Sequence, residues 1–178
     1  ETQYVILTNQ DEDKVIKLLD FVLSHGNTPE DAFSWDYETN SLSGIKPGSK
    51  ILTVSVSTQE GSGFTFPIDH PEQPWSPEAR QRVVSKWLEV LHSTKYKVGH
   101  NVSFDMRQTK TTLGPVDFVN TLDTMVAFYI AVSQSSLESK GLKELANQYT
   151  DMGGYDSALD TFKHWFSLGF ATVGGKDL

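Results

Sequence analysis

An α/β fold, a mixed sheet with helices on both faces, is the class this 178-residue sequence predicts. Two observations carry it. The first half holds three segments of strand character separated by turn signals, and the second half alternates helical and strand patterns. One domain, residues 1–178, accounts for the length, which is enough to bury a core.

Tyr4 to Leu7 is a short apolar run and reads as the first strand. A helix is expected from Thr8 or Asn9, with Asp11, Glu12 and Asp13 in its first turn. Val15, Ile16, Leu18, Leu19, Val22 and Leu23 keep helical spacing, and Gly26 fits the position past its end. Ala32 to Glu38, Ile51 to Ser57 and Gly63 to Phe66 read as an antiparallel meander, with Gly44, Pro47 and Gly48 marking a loop between the first two. Ser76-Pro77-Glu78 is a helix start with Pro at the first helical position, followed by a face of Ala79, Val83, Val84, Trp87, Leu88 and Leu91. Lys97 to His100 is a short strand leading into a helix capped by Asn101. Val116 to Val119 is read as a further strand. Asp123 to Val132 and Gly141 to Tyr149 read as helices, and Leu159 to Phe166 as a weak one.

Composition narrows the function classes. The chain carries no cysteine, so a disulfide framework, a thiolate zinc site and a Cys nucleophile are excluded, and a cytoplasmic location fits. No apolar run reaches the roughly 18–20 residues of a spanning helix, so neither a membrane anchor nor a signal peptide is expected. The 15 Lys and Arg face 23 Asp and Glu, a net charge of −8. Taken alone, that balance argues against nucleic acid, because phosphates are held by cations.

Three segments could carry chemistry. In Asp36-Tyr37-Glu38, residues two apart in a strand share a face, so both carboxylates project together about 7 Å apart. Crowded carboxylates repel unless a cation lies between them, and Mg²⁺ prefers oxygen ligands; the alternative is a strand edge with solvated acids. In His100-Asn101-Val102-Ser103-Phe104-Asp105, Asp105 lies one helical turn beyond Asn101, although capping by Asn and a first-turn acid would explain both residues as structure. Leu122-Asp123-Thr124-Met125 has the form of an ordinary helix cap. His25, His70, His92 and His164 lack metal-ligand spacing and read as structural or exposed. Arg107, Lys110, Lys140 and Lys143 are the basic residues near the acids in sequence, and they form no dense stripe.

Taken in order, these segments resemble the 3′–5′ exonuclease domain of family A DNA polymerases, phage-type members above all, within the RNase H-like DEDD exonucleases. Ser34 to Leu42 resembles the first motif, and Gly99 to Asp105 the second. Phe66-Pro67-Ile68-Asp69-His70 resembles a strand-end phrase of the phage enzymes, and Leu122 to Met125 and Gly141 to Ala146 resemble the helices that follow. The resemblance implies an RNase H-like sheet and removal of nucleotides from the 3′ end of single-stranded or frayed DNA. It implies two divalent cations, Mg²⁺ or Mn²⁺, on Asp36, Glu38 and Asp105, one activating water and one stabilising the leaving oxygen. It also implies that Thr39 and Leu42 contact the terminal nucleotide while His100, Asn101 and Phe104 contact the frayed strand.

The expected partners are the single-stranded DNA 3′ end and a polymerase domain of the same polypeptide, with no membrane and no second copy, in the cytoplasm of a bacterial host. Two other readings stay open: a non-catalytic single-strand-binding or scaffold module, and an RNase D-like ribonuclease with the same carboxylates. The family's third motif, Tyr or His with Asp four or five residues on, is matched only superficially by Tyr155, Asp156 and Asp160 after Gly153-Gly154. The expectation is a chain truncated before that motif, with the fourth carboxylate beyond Leu178. Under the resemblance the net charge ceases to exclude nucleic acid, since cations would offset three of the acids and a tethered domain need not supply affinity itself.

Overall fold

The computed structural model describes residues 3–43, 46–132 and 141–151. Its strands are β1 (Gln3–Ile6), β2 (Phe33–Thr39), β3 (Ile51–Gln59), β4 (Ser62–Pro67), β5 (Lys97–Gly99) and β6 (Thr121–Asp123). Its helices are α1 (Glu12–Leu23), α2 (Pro77–His92), α3 (Ser103–Thr112), α4 (Thr124–Ala131) and α5 (Leu142–Tyr149). Two compact units divide the chain, Glu1–Phe128 and Tyr129–Leu178. The whole sheet belongs to the first, and α5 to the second. Among the described residues no helix is long and apolar enough to cross a membrane.

The sheet runs β1-β4-β3-β2-β5-β6. β2, β3 and β4 form the expected antiparallel meander, while β1 joins β4, β5 joins β2 and β6 joins β5 in parallel. The alternation of β2 decides its two faces. Phe33, Trp35 and Tyr37 are buried with Val54, Val56, Phe64 and Phe66. Ser34, Asp36 and Glu38 take the other face opposite Ser57, Ser55 and Thr53. Onto the apolar face pack Val15, Leu19 and Val22 of α1 and Val83, Trp87, Val90 and Leu91 of α2. Trp87 lies within about one ring width of Trp35, Tyr37 and Phe66, with centroids 6.0–6.3 Å away and edges toward faces.

The polar anchors explain the element ends. Ser76 caps α2 by accepting the Ala79 N–H at 3.2 Å, as its sequence predicts. At the end of β4, Asp69 accepts both arms of the Arg80 guanidinium at 2.6 and 2.8 Å, which ties the Phe66–His70 phrase to α2. Lys97 is buried, and its Nζ donates to the carbonyls of Ser93, Lys95 and Val119, so one ammonium gathers three chain segments at the start of β5. Burial pushes its pKa down to about 8.

Three expectations need correction. Helix α1 begins at Glu12 rather than at Thr8 or Asn9, because Asp11 turns back to accept the Thr8 N–H and hydroxyl at 2.8 and 2.9 Å and closes a turn first. Val116–Val119 is not a strand. Val116 plugs the core and Phe118 stacks on Trp35 at 6.0 Å, so the apolar residues are spent on packing and the edge strand falls at Thr121–Asp123. Asn101 does not cap α3. Its φ is 54°, the helix starts at Ser103, and the amides ahead of it are served by Asp123. The stretch Leu159–Phe166 lies outside the described residues.

Gly26 closes the link between α1 and β2. Its φ is +69°, and an added Cβ would meet the Tyr96 carbonyl oxygen at 2.8 Å and the Tyr96 nitrogen at 3.0 Å. Its carbonyl accepts the Tyr96 N–H at 2.7 Å. Both the left-handed backbone and the close approach exclude a side chain, so Gly26→Ala is expected to cost about 2–4 kcal/mol. Urea denaturation measures this, and a midpoint equal to the wild type would refute it.

Candidate active site

Asp36 and Glu38 project from the polar face of β2, as strand periodicity requires. Asp105 stands in the first turn of α3 and is only 4% exposed. Asp36 faces both other acids, Glu38 along its own strand and Asp105 across from α3, because β5 is short. Beyond Gly99 the chain leaves the sheet and turns into α3, bringing Asp105 alongside Asp36 at the edge that β5 vacates. A register shift between Glu38 and Thr39 ends the regular pairing of β2 at the same place.

The electrostatics of the acids are unfavourable. Burial first and the charge of Asp36 second raise the Asp105 pKa to about 7. Asp36 is raised by the protein packed about its carboxylate and then by Glu38, although solvent still reaches it; His100 pulls the other way. Asp105 Oδ1 is buried without a hydrogen-bond partner, which is costly for a carboxylate oxygen. Among the described residues no three His, Asp or Glu side chains converge into a ready cation cage. The donor set nonetheless suits a hard cation: all the donors are carboxylate oxygens, they repel one another, and one is orphaned.

A hydrogen-bond chain joins the two acid-bearing elements through the core. Trp87 Nε1 donates to the Tyr37 hydroxyl at 2.8 Å. Thr109 Oγ1 donates to the Asp105 carbonyl at 2.8 Å. A hydroxyl has one proton, so Tyr37 must donate to Thr109 across their 2.8 Å contact. Burial holds the Tyr37 hydroxyl far above its ordinary pKa, so it keeps that proton. The residue between the acids thus fixes β2 against α3.

Gln108, fully buried on α3, accepts from Ser49 Oγ at 3.0 Å and donates to the Ser41 carbonyl at 3.1 Å. It therefore pins both ends of the loop after β2. Sequence reading missed Tyr37, Thr109, Trp87 and Gln108 as parts of the site. One signal was present: a Tyr at an apolar position of a buried strand face needs a partner for its hydroxyl.

The other candidates fall near these acids or elsewhere as follows. Thr39 donates to the Ser41 carbonyl at 2.9 Å, and Leu42, on the pinned loop, is 95% exposed. His100 contacts Thr124 Oγ1 through Nδ1 at 2.9 Å, Asn101 is exposed, and Phe104 is half-buried. Asp123 accepts from amides at the starts of α3 and α4. His25 and His70 make local contacts to Phe21 and Glu72, and His92 meets the Pro115 carbonyl 23 residues along the chain, in keeping with structural roles. Lys110 lies 5.9 Å from the Phe118 ring, and Arg107 is exposed. Lys140, Tyr155, Asp156, Asp160 and His164 lie outside the described residues.

A family model described as 3′–5′ exonuclease matches residues 6–163. A DNA polymerase of Escherichia phage T5 is 36% identical over 135 residues, which cover 73% of this chain and 14% of the relative. A DNA polymerase of Bacillus phage SP01 is 30% identical over 112 residues, covering 62% of this chain and 12% of the relative. The chain therefore spans a small part of the relatives it matches. Among solved structures, Brucella melitensis NrnC with bound Mg²⁺ superposes with a TM-score of 0.55 at 16% identity, covering 86% of this chain and 62% of that one. That likeness is one of fold.

The raised pKa of Asp105 has a definite consequence for metal-free protein. The folded state holds this proton more tightly than the unfolded one, so its contribution favours folding at low pH and is lost as pH rises through about 7. In chelator at pH 8, Asp105→Asn is expected to stabilise the chain by about 1–3 kcal/mol, because it removes the negative charge that burial and Asp36 oppose. The gain should shrink toward pH 5. Thermal melts at both pH values check this, and a pH-independent difference would contradict it.

Proposed function

The chain belongs to the 3′–5′ exonuclease family, and from that premise we propose that it trims DNA from the 3′ end as the proofreading module of a DNA polymerase. The observation that carries the proposal is Asp36, which is coupled on one side to Glu38 and on the other to the buried Asp105 with its orphaned oxygen. A module that only bound single strands would have no reason to collect acids that repel phosphate. Membership of an exonuclease family supports a hydrolytic enzyme, and the phage relatives support the polymerase context. In that context the protein would act in the cytoplasm of a bacterial host, with a polymerase domain in the same polypeptide, a reading the phage relatives support.

Asp36, Glu38 and Asp105 would hold two divalent cations, Mg²⁺ or Mn²⁺. When bound, these supply Lewis acidity at the phosphate and an acidified water. The remaining work belongs to the protein. The Trp87–Tyr37–Thr109 chain holds β2 against α3, so the carboxylates keep their spacing while unpaired by metal. Gln108 holds the loop carrying Leu42, whose exposed side chain can lie against a terminal base of any identity. Thr39 borders the same loop. His100, Asn101 and Phe104, at the start of α3, face the strand leading to the 3′ end. Contacts of this kind read shape and stacking more than sequence, as removal of any mispaired nucleotide requires.

The test is digestion of a 5′-labelled single-stranded DNA with Mg²⁺ or Mn²⁺. Stepwise shortening from the 3′ end is expected, abolished by chelator and reduced about 10³-fold or more by Asp36→Ala or Asp105→Ala, the scale of several kcal/mol of lost transition-state stabilisation. Binding without shortening would favour the scaffold reading. Preference for a single-stranded RNA of the same sequence would favour the RNase D-like reading.

A further inference from the structure

The role of Asp123 is larger than that of an ordinary cap. β5 and β6 run parallel, with Gly99 beside Asp123, so two helices begin from neighbouring strand ends. A single carboxylate serves both. Asp123 Oδ1 accepts the Met125 N–H at 2.9 Å and the Val126 N–H at 3.4 Å, within its own helix start. It also accepts the Asn101 N–H at 3.0 Å, and Oδ2 accepts the Val102 N–H at 3.0 Å, both from the turn leading into α3. An ordinary cap serves one or two amides of its own helix.

The turn it grips is strained and tight. Asn101 holds a left-handed backbone at φ 54°, a region that Asn enters more readily than most residues but that still disfavours any side chain. An added Cβ on Gly99 would lie 3.0 Å from Val102 Cγ2, so the chain folds back closely there. Strain of this kind persists only where surrounding bonds over-determine it. Here the bonds come from Asp123, 22 residues further along the chain.

We propose that Asp123 is a positioning residue for the reaction: it locks the Gly99–Val102 turn so that Asn101 is presented to the single strand. This rests on the functional reading above, in which Asn101 touches the strand. Without the carboxylate, Asn101 relaxes out of the left-handed region and its side chain swings away.

The test compares wild type, Asp123→Ala, Asp123→Asn and Asn101→Gly as full chains. Affinity for a fluorescent single-stranded DNA is read by anisotropy with Ca²⁺ in place of Mg²⁺. KM and kcat are read on the same strand with Mg²⁺, and hydrogen exchange is followed at the amides of residues 101 and 102. Asp123→Ala is expected to raise Kd and KM about tenfold, the worth of one polar contact, with kcat within about threefold and faster exchange at both amides. Asp123→Asn keeps an oxygen for three of the four amides and should fall between. Asn101→Gly keeps the backbone without the side chain, so it should raise Kd equally while leaving exchange protected.

A drop in thermal stability with unchanged Kd in Asp123→Ala would overturn the proposal. So would an unchanged Kd in Asn101→Gly, which decides the matter if Asp123→Ala fails to fold. Absence of turnover in wild type would count against the functional reading alone, because anisotropy and exchange still report on the turn.

Discussion

One row of hydrogen bonds, from Trp87 through Tyr37 and Thr109 to the backbone of Asp105, sets the distance between the strand and the helix that carry the acids. Each proton in the row has a single direction, so the row can form in only one way. It crosses the centre of the core, where an unmade bond is expensive. The aromatic cluster of Trp35, Tyr37, Phe66 and Trp87 encloses it and keeps water out. The mixed sheet then follows from ordinary patterning, but the site follows from this row. Were α3 to slide along β2, the carboxylates would separate and the hydroxyls would lose their partners together.

That rigidity has a use. Burial first and a neighbouring carboxylate second oppose the charged forms of Asp36 and Asp105, whose pKa values are raised. A loose scaffold would relieve this opposition by letting the acids drift into water. Here Asp105 stays buried with an orphaned oxygen, and the surrounding core bears the cost. Such a site is less stable than a repacked one would be, which is the usual relation between a functional centre and the fold that supports it.

Much of this was legible in the sequence, for reasons that can be stated residue by residue. Asp36 and Glu38 share a face because strand side chains alternate, and local pattern shows that directly. Ser76-Pro77 marks a helix start because capping is a contact over three residues. The failures involve partners distant in sequence. Asn101 has the chemistry of a cap, but Asp123 arrives from β6 and takes that task, freeing Asn101 for a left-handed turn. Val116 and Phe118 have the residue types of a strand and are instead consumed as core plugs. Tyr37 reads as one more buried aromatic until Thr109 and Trp87 are placed beside it. Composition misled for a related reason: a net charge of −8 says nothing of where the acids gather.

The central claim is that Asp36, Glu38 and Asp105 together hold the divalent cations of the reaction. Anomalous diffraction from crystals of this chain soaked in Mn²⁺ tests it most directly. Manganese density in contact with all three carboxylates, with Asp105 Oδ1 among the ligands, is the result predicted. Manganese absent from these residues at saturating concentration, or bound only elsewhere on the chain, would contradict it.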